Sequence, residues 1–291
     1  MSTVSLVKAN GSSNEDIKQA IISSLNLIDF KFNENVKRIV IKPNMCYYYH
    51  PSTGEVTDPA FISALIDVLK EKYACPEIFI VESDASAMKC QYAFRMFGYD
   101  KIAKEQGVNL INLCQEKSNQ TEISINGCSL KFGVPELLVT CDLLINVPKI
   151  KYMKAVKITC ALKNIFGCNA VQKKSSYHKF LDEAIVGINK LVKTNLVLVD
   201  GLMVNGKNTK QLNLVMAGED LVAVDSASSR LLGLNPSSIR HLTLASKEGL
   251  GSLKFNALGD FAYFQRNFPK KTIGDKLFEY GASMYLRTIH R

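Results

Sequence analysis

The chain has 291 residues, 47% hydrophobic and 22% charged, which is enough apolar material for a sizeable globular core. Its longest apolar runs, such as "NLVLVDGLMV", contain polar breaks and fall short of the ~20 residues a membrane span needs, and the N-terminus shows no secretory pattern, so a cytoplasmic location is expected. Eight cysteines without a C-x-x-C pair exclude a zinc ribbon and a ferredoxin-type cluster run, and a net charge of +9 raises the question of an anionic partner.

Taken in chain order, "VSLVKA" (4–9) reads as a strand, and 14–28 has helical apolar spacing behind a cap at Ser13 or Asn14. "KRIVIKPN" (37–44) is an apolar, β-branched run halted by Pro43, as in a buried parallel strand. Asp58 as cap and Pro59 at the first helical position open a helix over 58–73. A strand at 77–84, one or two helices over 88–107 and a strand at 108–113 follow. Residues 121–132 read as a hairpin insertion turning at Asn126-Gly127. Then come a strand at 142–151, a helix at 154–167 closed by Gly167 in the left-handed position, a helix at 181–192, strands at 195–201 and 212–218, and a helix at 221–233. This alternation predicts one α/β domain over 1–291, with a largely parallel sheet flanked by helices and a basic, helix-like tail from about 262 to 291.

Ligands of open α/β sheets bind beyond the carboxyl ends of the strands. The predicted strands deliver Lys42 and Asn44, then Glu82 and Asp84, then Lys149 and Lys151, and Asp200 to that rim. The segment from Lys149 to Lys179 holds eight lysines and no Asp or Glu. A helix N-terminus favours anions, so lysines gathered there are unfavourable unless something negative binds. On the predicted helix Lys157, Cys160 and Asn164 share one side, and Lys163 adds a further charge. The competing reading is a solvated lysine-rich loop around an ordinary helix. Glu82, Asp84 and Asp200 could hold a divalent cation through oxygen ligands, although their spacing is not tight. His178 is a candidate proton carrier or a surface histidine, and the cysteines read best as reduced core thiols.

The motifs "IKPN" (41–44), "NVPKIK" (146–151), "ALKNIFG" (161–167), His178, "VDG" (199–201) and "GEDLVAVDSASSRLLG" (218–233) together resemble the domain of unknown function 362 family, over about residues 37–260. The resemblance implies an α/β fold and a cytoplasmic character, and it implies no activity. Members often carry a fused ferredoxin-like iron–sulfur module, whose cysteines are missing here. The family's usual Thr-His after the "PKIK" motif is Tyr152-Met153, and its Gly-Asp-Ser-Pro-Gly is Glu82-Ser83-Asp84-Ala85-Ser86.

The leading expectation is an enzyme acting on a phosphorylated or otherwise anionic small molecule. Lys42, Lys149, Lys151, Lys157 and Lys163 would neutralise the ligand, Asn44 and Asn164 would orient it, and His178 and Lys149 would act in catalysis. The first alternative is a redox protein that uses dispersed cysteines or an electron-transfer partner's cluster. Nucleic-acid binding ranks third, because only Tyr152 and Tyr177 interleave with the basic segment.

Overall fold

The computed structural model describes residues 1–171 and 174–271. The elements run in the order β1 (Ser2–Lys8), α1 (Asn14–Leu27), β2 (Arg38–Pro43), α2 (Pro59–Lys72), β3 (Glu77–Glu82), α3 (Cys90–Met96), α4 (Tyr99–Gln106), β4 (Asn109–Asn112), β5 (Ser118–Ile125), β6 (Cys128–Pro135) and α5 (Glu136–Thr140). They continue with β7 (Leu143–Val147), β8 (Lys151–Met153), β9 (Lys157–Thr159), α6 (Ala161–Phe166), α7 (Leu181–Leu191), β10 (Leu196–Asn205), β11 (Thr209–Gly218), α8 (Leu221–Leu231), α9 (Arg240–Lys247), β12 (Phe255–Gly259) and α10 (Phe261–Asn267). Among the described residues, eight strands form one sheet in the order β12-β1-β11-β10-β7-β2-β3-β4. All its pairings are parallel except those of β11, which runs antiparallel to both β1 and β10.

Strand alternation sorts the core into two layers. Ile39 and Ile41 of β2, Ile78 and Ile80 of β3, and Leu196 and Leu198 of β10 pack on one face with α1 to α4. Val40, Phe79, Val81, Val197 and Val199 face the other layer, built from α6 to α9 and the β5–β6 hairpin. Sheets covered on both faces give the near-continuous apolar runs seen in β2, β3, β7 and β10.

Caps explain the helix starts. Ser13 and Asp16 form a reciprocal capping box at α1, and Asp58 accepts from the Ala60 N–H ahead of Pro59 at α2. The expected hairpin is present as β5–β6, with Asn126 and Gly127 at φ 49° and 78°.

The helix expected over 154–167 is corrected. Its first half is the turn and second strand of a hairpin, β8–β9, that begins at Lys151, and only Ala161–Phe166 is helical. Val156, Ile158 and Thr159 are β-branched and buried while Lys157 is exposed, and their strand preference wins over the helical spacing. Lys157 occupies a left-handed conformation at φ 68°, where a glycine would have advertised the turn. Gly167 is right-handed at φ −60° and does not close the helix in the manner expected. A Cβ on it would sit 3.0 Å from the Asn164 carbonyl, a tight approach, and at ordinary contact distance, 3.6 Å, from Lys42 and Glu82. The basic tail lies mostly outside the described residues. Among those described, no helix is long and apolar enough to cross a membrane.

Gly127 gives a clean test of the β5–β6 turn. A Cβ there meets nothing within 4 Å, so Gly127→Ala should cost only the left-handed backbone strain, about 1–2 kcal/mol. Urea unfolding should show that loss as a lower midpoint with an unchanged slope.

Candidate functional site

The rim residues arrive as expected at neighbouring strand ends, but they pair with one another. Lys42 Nζ lies 2.8 Å from Glu82 Oε2 and donates to the Pro43 carbonyl at 2.6 Å. Glu82 also accepts from the Met45 and Ser83 N–H groups. Lys149 Nζ lies 3.1 Å from Asp200 Oδ2 and donates to the Met203 carbonyl at 2.7 Å. Asp200 further accepts from the Asp58 and Leu202 N–H groups. All four side chains are at most 3% exposed. Asp84 accepts from Lys89, the Cys90 N–H and Asn112. Burial alone would raise its pKa, and these donors together outweigh that and lower it. The three acids proposed for a cation are therefore each held by nitrogen donors. No group of three or more His, Cys, Asp or Glu gathers as a metal-binding cluster among the described residues.

Above this layer lies a pocket of 720 Å³. Of the residues expected at a site, Asn44, Lys151, Lys163 and His178 line it, and sequence reasoning missed Lys174, Cys46, Glu55 and the tyrosines Tyr47 and Tyr49. Lys42, Lys149, Asn164, Glu82, Asp84 and Asp200 are not among its lining residues, and Lys157 lies elsewhere, donating to the Ser238 carbonyl at 2.6 Å. Among the described residues, three lysines thus line a pocket with a single carboxylate, Glu55.

A relay of amides sets the first lysine. The Asn146 side chain donates to the Ala161 carbonyl at 2.9 Å and accepts from Asn164 at 2.7 Å. Asn164 accepts from Asn44 at 2.9 Å, and Asn44 accepts from Lys151 Nζ at 2.8 Å. Lys151 donates also to the Glu55 carbonyl at 2.9 Å, stands 3.8 Å from the Glu55 carboxylate and 3.2 Å from Cys46 Sγ. Asn44 and Asn164 thus orient a lysine and the strand ends.

Lys174 is fixed from the other side. Its ammonium donates to Ser83 Oγ, to the Asp84 carbonyl at 2.9 Å and to the Gly167 carbonyl at 3.0 Å. The segment that carries it, Lys174–Phe180, is a 3₁₀ turn anchored by Tyr177. That ring stacks on Phe132 at 5.3 Å and meets Phe166 edge-on at 5.8 Å. The same anchor places the exposed His178 at the pocket.

Lys163 differs from both. It sits on α6, is half-buried, and makes no hydrogen bond or ion pair among the described residues. Burial pushes its pKa down to about 8, helped by the neighbouring positive charges of Lys151 and Lys174 and opposed by Cys46. Its helix is firmly held. The buried Asp225 carboxylate accepts from the Ala161 and Leu162 N–H groups at 2.6 and 3.1 Å, and Asn189 donates to the Leu162 carbonyl at 2.8 Å.

The cysteines are dispersed. Cys90, Cys160 and Cys168 are buried, and burial raises all three thiols, Cys168 to about 12. Cys141 rises to about 11 for the same reason. These four are protonated packing groups at neutral pH.

Two expectations test these assignments. Glu82→Gln would strand the buried Lys42 charge and should cost about 3–5 kcal/mol, while adding Lys42→Met to it should recover part of that loss in chemical denaturation. A lysine with a depressed folded pKa binds fewer protons in the native state than in the unfolded one between the two values. Stability from Lys163 should therefore rise with pH from about 8 towards 10.5, and the parent should gain on Lys163→Met over that window in paired melting curves.

The comparisons with known proteins supply a family and no reaction. The chain is 24% identical over 251 residues to the thylakoid-associated protein sll1697 of Synechocystis sp., covering 82% of this chain and 74% of that one. Among solved structures it is similar to the lactate racemase apoprotein from Thermoanaerobacterium thermosaccharolyticum, with a TM-score of 0.47 and 16% identity. That match covers 80% of this chain and 58% of the racemase chain. The model of the family described as Domain of unknown function (DUF362) matches residues 39–230, about two thirds of the chain, and the protein belongs to that family.

Proposed function

We propose that the protein is an enzyme acting on a small phosphorylated or carboxylated molecule held in the 720 Å³ pocket. The observation that carries this reading is Lys163, a half-buried cation without a hydrogen-bonding or ionic partner among the described residues, facing the same space as Lys151 and Lys174. Like charges crowded where screening is weak repel one another, and a bound anion turns that repulsion into attraction. Lys151 and Lys174 contribute fixed charge from opposite sides, Lys163 contributes the unsatisfied donor, and His178 stands at the pocket as a proton carrier. Lys42 and Lys149 act from beneath, as halves of ion pairs that set the strand ends. Asn44 and Asn164 act through the orientation they give Lys151.

A divalent cation takes second place in this reading. Glu82, Asp84 and Asp200 would have to release lysines or main-chain N–H groups to coordinate one. A cation carried in with a phosphate would instead meet Glu55, the carboxylate that lines the pocket.

A thermal-shift series with phosphate, sulfate, sugar phosphates, nucleotides and short carboxylates tests the proposal. A binder at a hundredfold excess over its Kd should stabilise the native state by about 2.7 kcal/mol. Lys151→Ala with Lys163→Ala should remove the shift. A double variant that responds like the parent would place the anion elsewhere.

A further inference from the structure

We infer that Lys163 is an amine nucleophile that condenses with the carbonyl of an aldehyde or ketone bearing a carboxylate or phosphate, forming an imine inside the pocket. The inference deepens the anion-site reading and rests on it. It comes from a division of labour among three lysines. Lys151 is held by Asn44, Cys46 and Glu55, and Lys174 by Ser83 and two main-chain carbonyls. Each of those ammonium groups has its donors occupied. Burial lowers the Lys174 pKa too, but the Glu82 charge opposes it and its three acceptors hold the ammonium in place, so both lysines serve as positioned charges. Lys163 has none occupied among the described residues.

Proton economy favours the same assignment. An amine attacks only when neutral, and a lysine becomes neutral near physiological pH when burial and neighbouring cations disfavour its charge. Lys163 meets both conditions, with its pKa lowered to about 8. The groups sharing the pocket with it are Lys151 from β8, Cys46 and Glu55 from the segment after β2, and Lys174 and His178 from the 3₁₀ turn, with Tyr47, Tyr49 and Tyr152 also in the lining. The two fixed cations that disfavour its proton also attract the carboxylate or phosphate of the incoming molecule. One arrangement therefore activates the nucleophile and selects an anionic carbonyl compound over a neutral one.

The step balances without a redox partner. The Lys163 nitrogen lone pair forms a C–N bond to the carbonyl carbon while the C=O π pair moves to oxygen, which takes up a proton. The carbinolamine then loses its hydroxyl as water with a proton from nitrogen, so amine and carbonyl compound give imine and water. His178 lines the pocket and can move these protons.

Reductive trapping tests the inference on the full chain. The protein is incubated with pyruvate or glyoxylate and cyanoborohydride, and the adduct is located by peptide mass spectrometry. Lys163 should be labelled on the order of tenfold or more faster than exposed lysines, because a much larger fraction of it is neutral at pH 7.5. Labelling should rise with pH and reach half its limit near pH 8. Acetone, which has the carbonyl without the anion, should label it far more slowly. Lys163→Arg keeps the charge and should lose the adduct, while circular dichroism and the phosphate-induced thermal shift report that fold and anion site persist. Label spread over surface lysines, first on Lys151 or Lys174, or equally fast from acetone would overturn the inference. If phosphate stabilises the parent and no adduct forms, the imine is wrong and the anion site stands; if neither occurs, both readings fall.

Discussion

The structure turns on how buried charge is matched at the strand ends. Lys42 with Glu82 and Lys149 with Asp200 are two ion pairs at most 3% exposed, each closed by main-chain hydrogen bonds. Pairs this deep give little net stability, because desolvation offsets their attraction. What they provide is a committed geometry, since neither partner can leave without stranding the other. These pairs also take up the acids that the adjacent strands bring to the rim. The lysines of the 149–179 segment that line the pocket are then left with Glu55 as the one carboxylate in the lining among the described residues. The positive pocket is a consequence of where the acids are spent.

The second constraint is the way α6 is held. Its six residues are too few to persist alone. Asp225 takes two of its free N–H groups, Asn146 and Asn189 take the carbonyls of Ala161 and Leu162, and Asn164 reaches back to the Lys42 carbonyl at 3.2 Å. These tethers come from β2, β7, α7 and α8, so the helix is fixed to both the sheet and its covering layer. Burial lifts the Asp225 carboxyl to about 6 even though His241 and the two N–H groups work against it. A carboxylate kept in such a site is costly, and its two short contacts are to the helix that carries Lys163.

The parallel core was legible in the sequence because strand signals there are redundant. β2, β3, β7 and β10 carry apolar runs broken by Pro43, Glu82, Pro148 and Asp200-Gly201, and caps such as Asp58-Pro59 mark the helices between them. The rim was legible for the same reason, since parallel strands put Lys42, Glu82, Lys149 and Asp200 at the same end. The pairing among those residues was not, because sequence shows which charges share an edge and not which of them touch. The error over 154–160 is local. Lys157 stands in a left-handed position without the glycine that would signal a hairpin, and three-residue strands are too short for alternation to outvote helical spacing. Lys174 was invisible because its place depends on Tyr177 docking against Phe132, a contact across 45 residues.

That docking also explains why the site combines rigid and accessible parts. Lys151 and Lys163 stand on a hairpin and a helix tied into the core, whereas Lys174 and His178 come from a 3₁₀ turn whose buried anchor is Tyr177. Tyr47 and Tyr49, which also line the pocket, pack edge to face at 5.6 Å and are each about half exposed, at 50% and 47%. Exposed rings and lysines lining one pocket offer two kinds of contact, charge and an aromatic face. A molecule with its anionic group on the lysines and a planar portion under the tyrosines would satisfy both. A bare inorganic anion would satisfy only the first and leave the rings in water. On the proposed reading, this mixed lining of lysines and tyrosines suits an organic anion better than phosphate or sulfate alone.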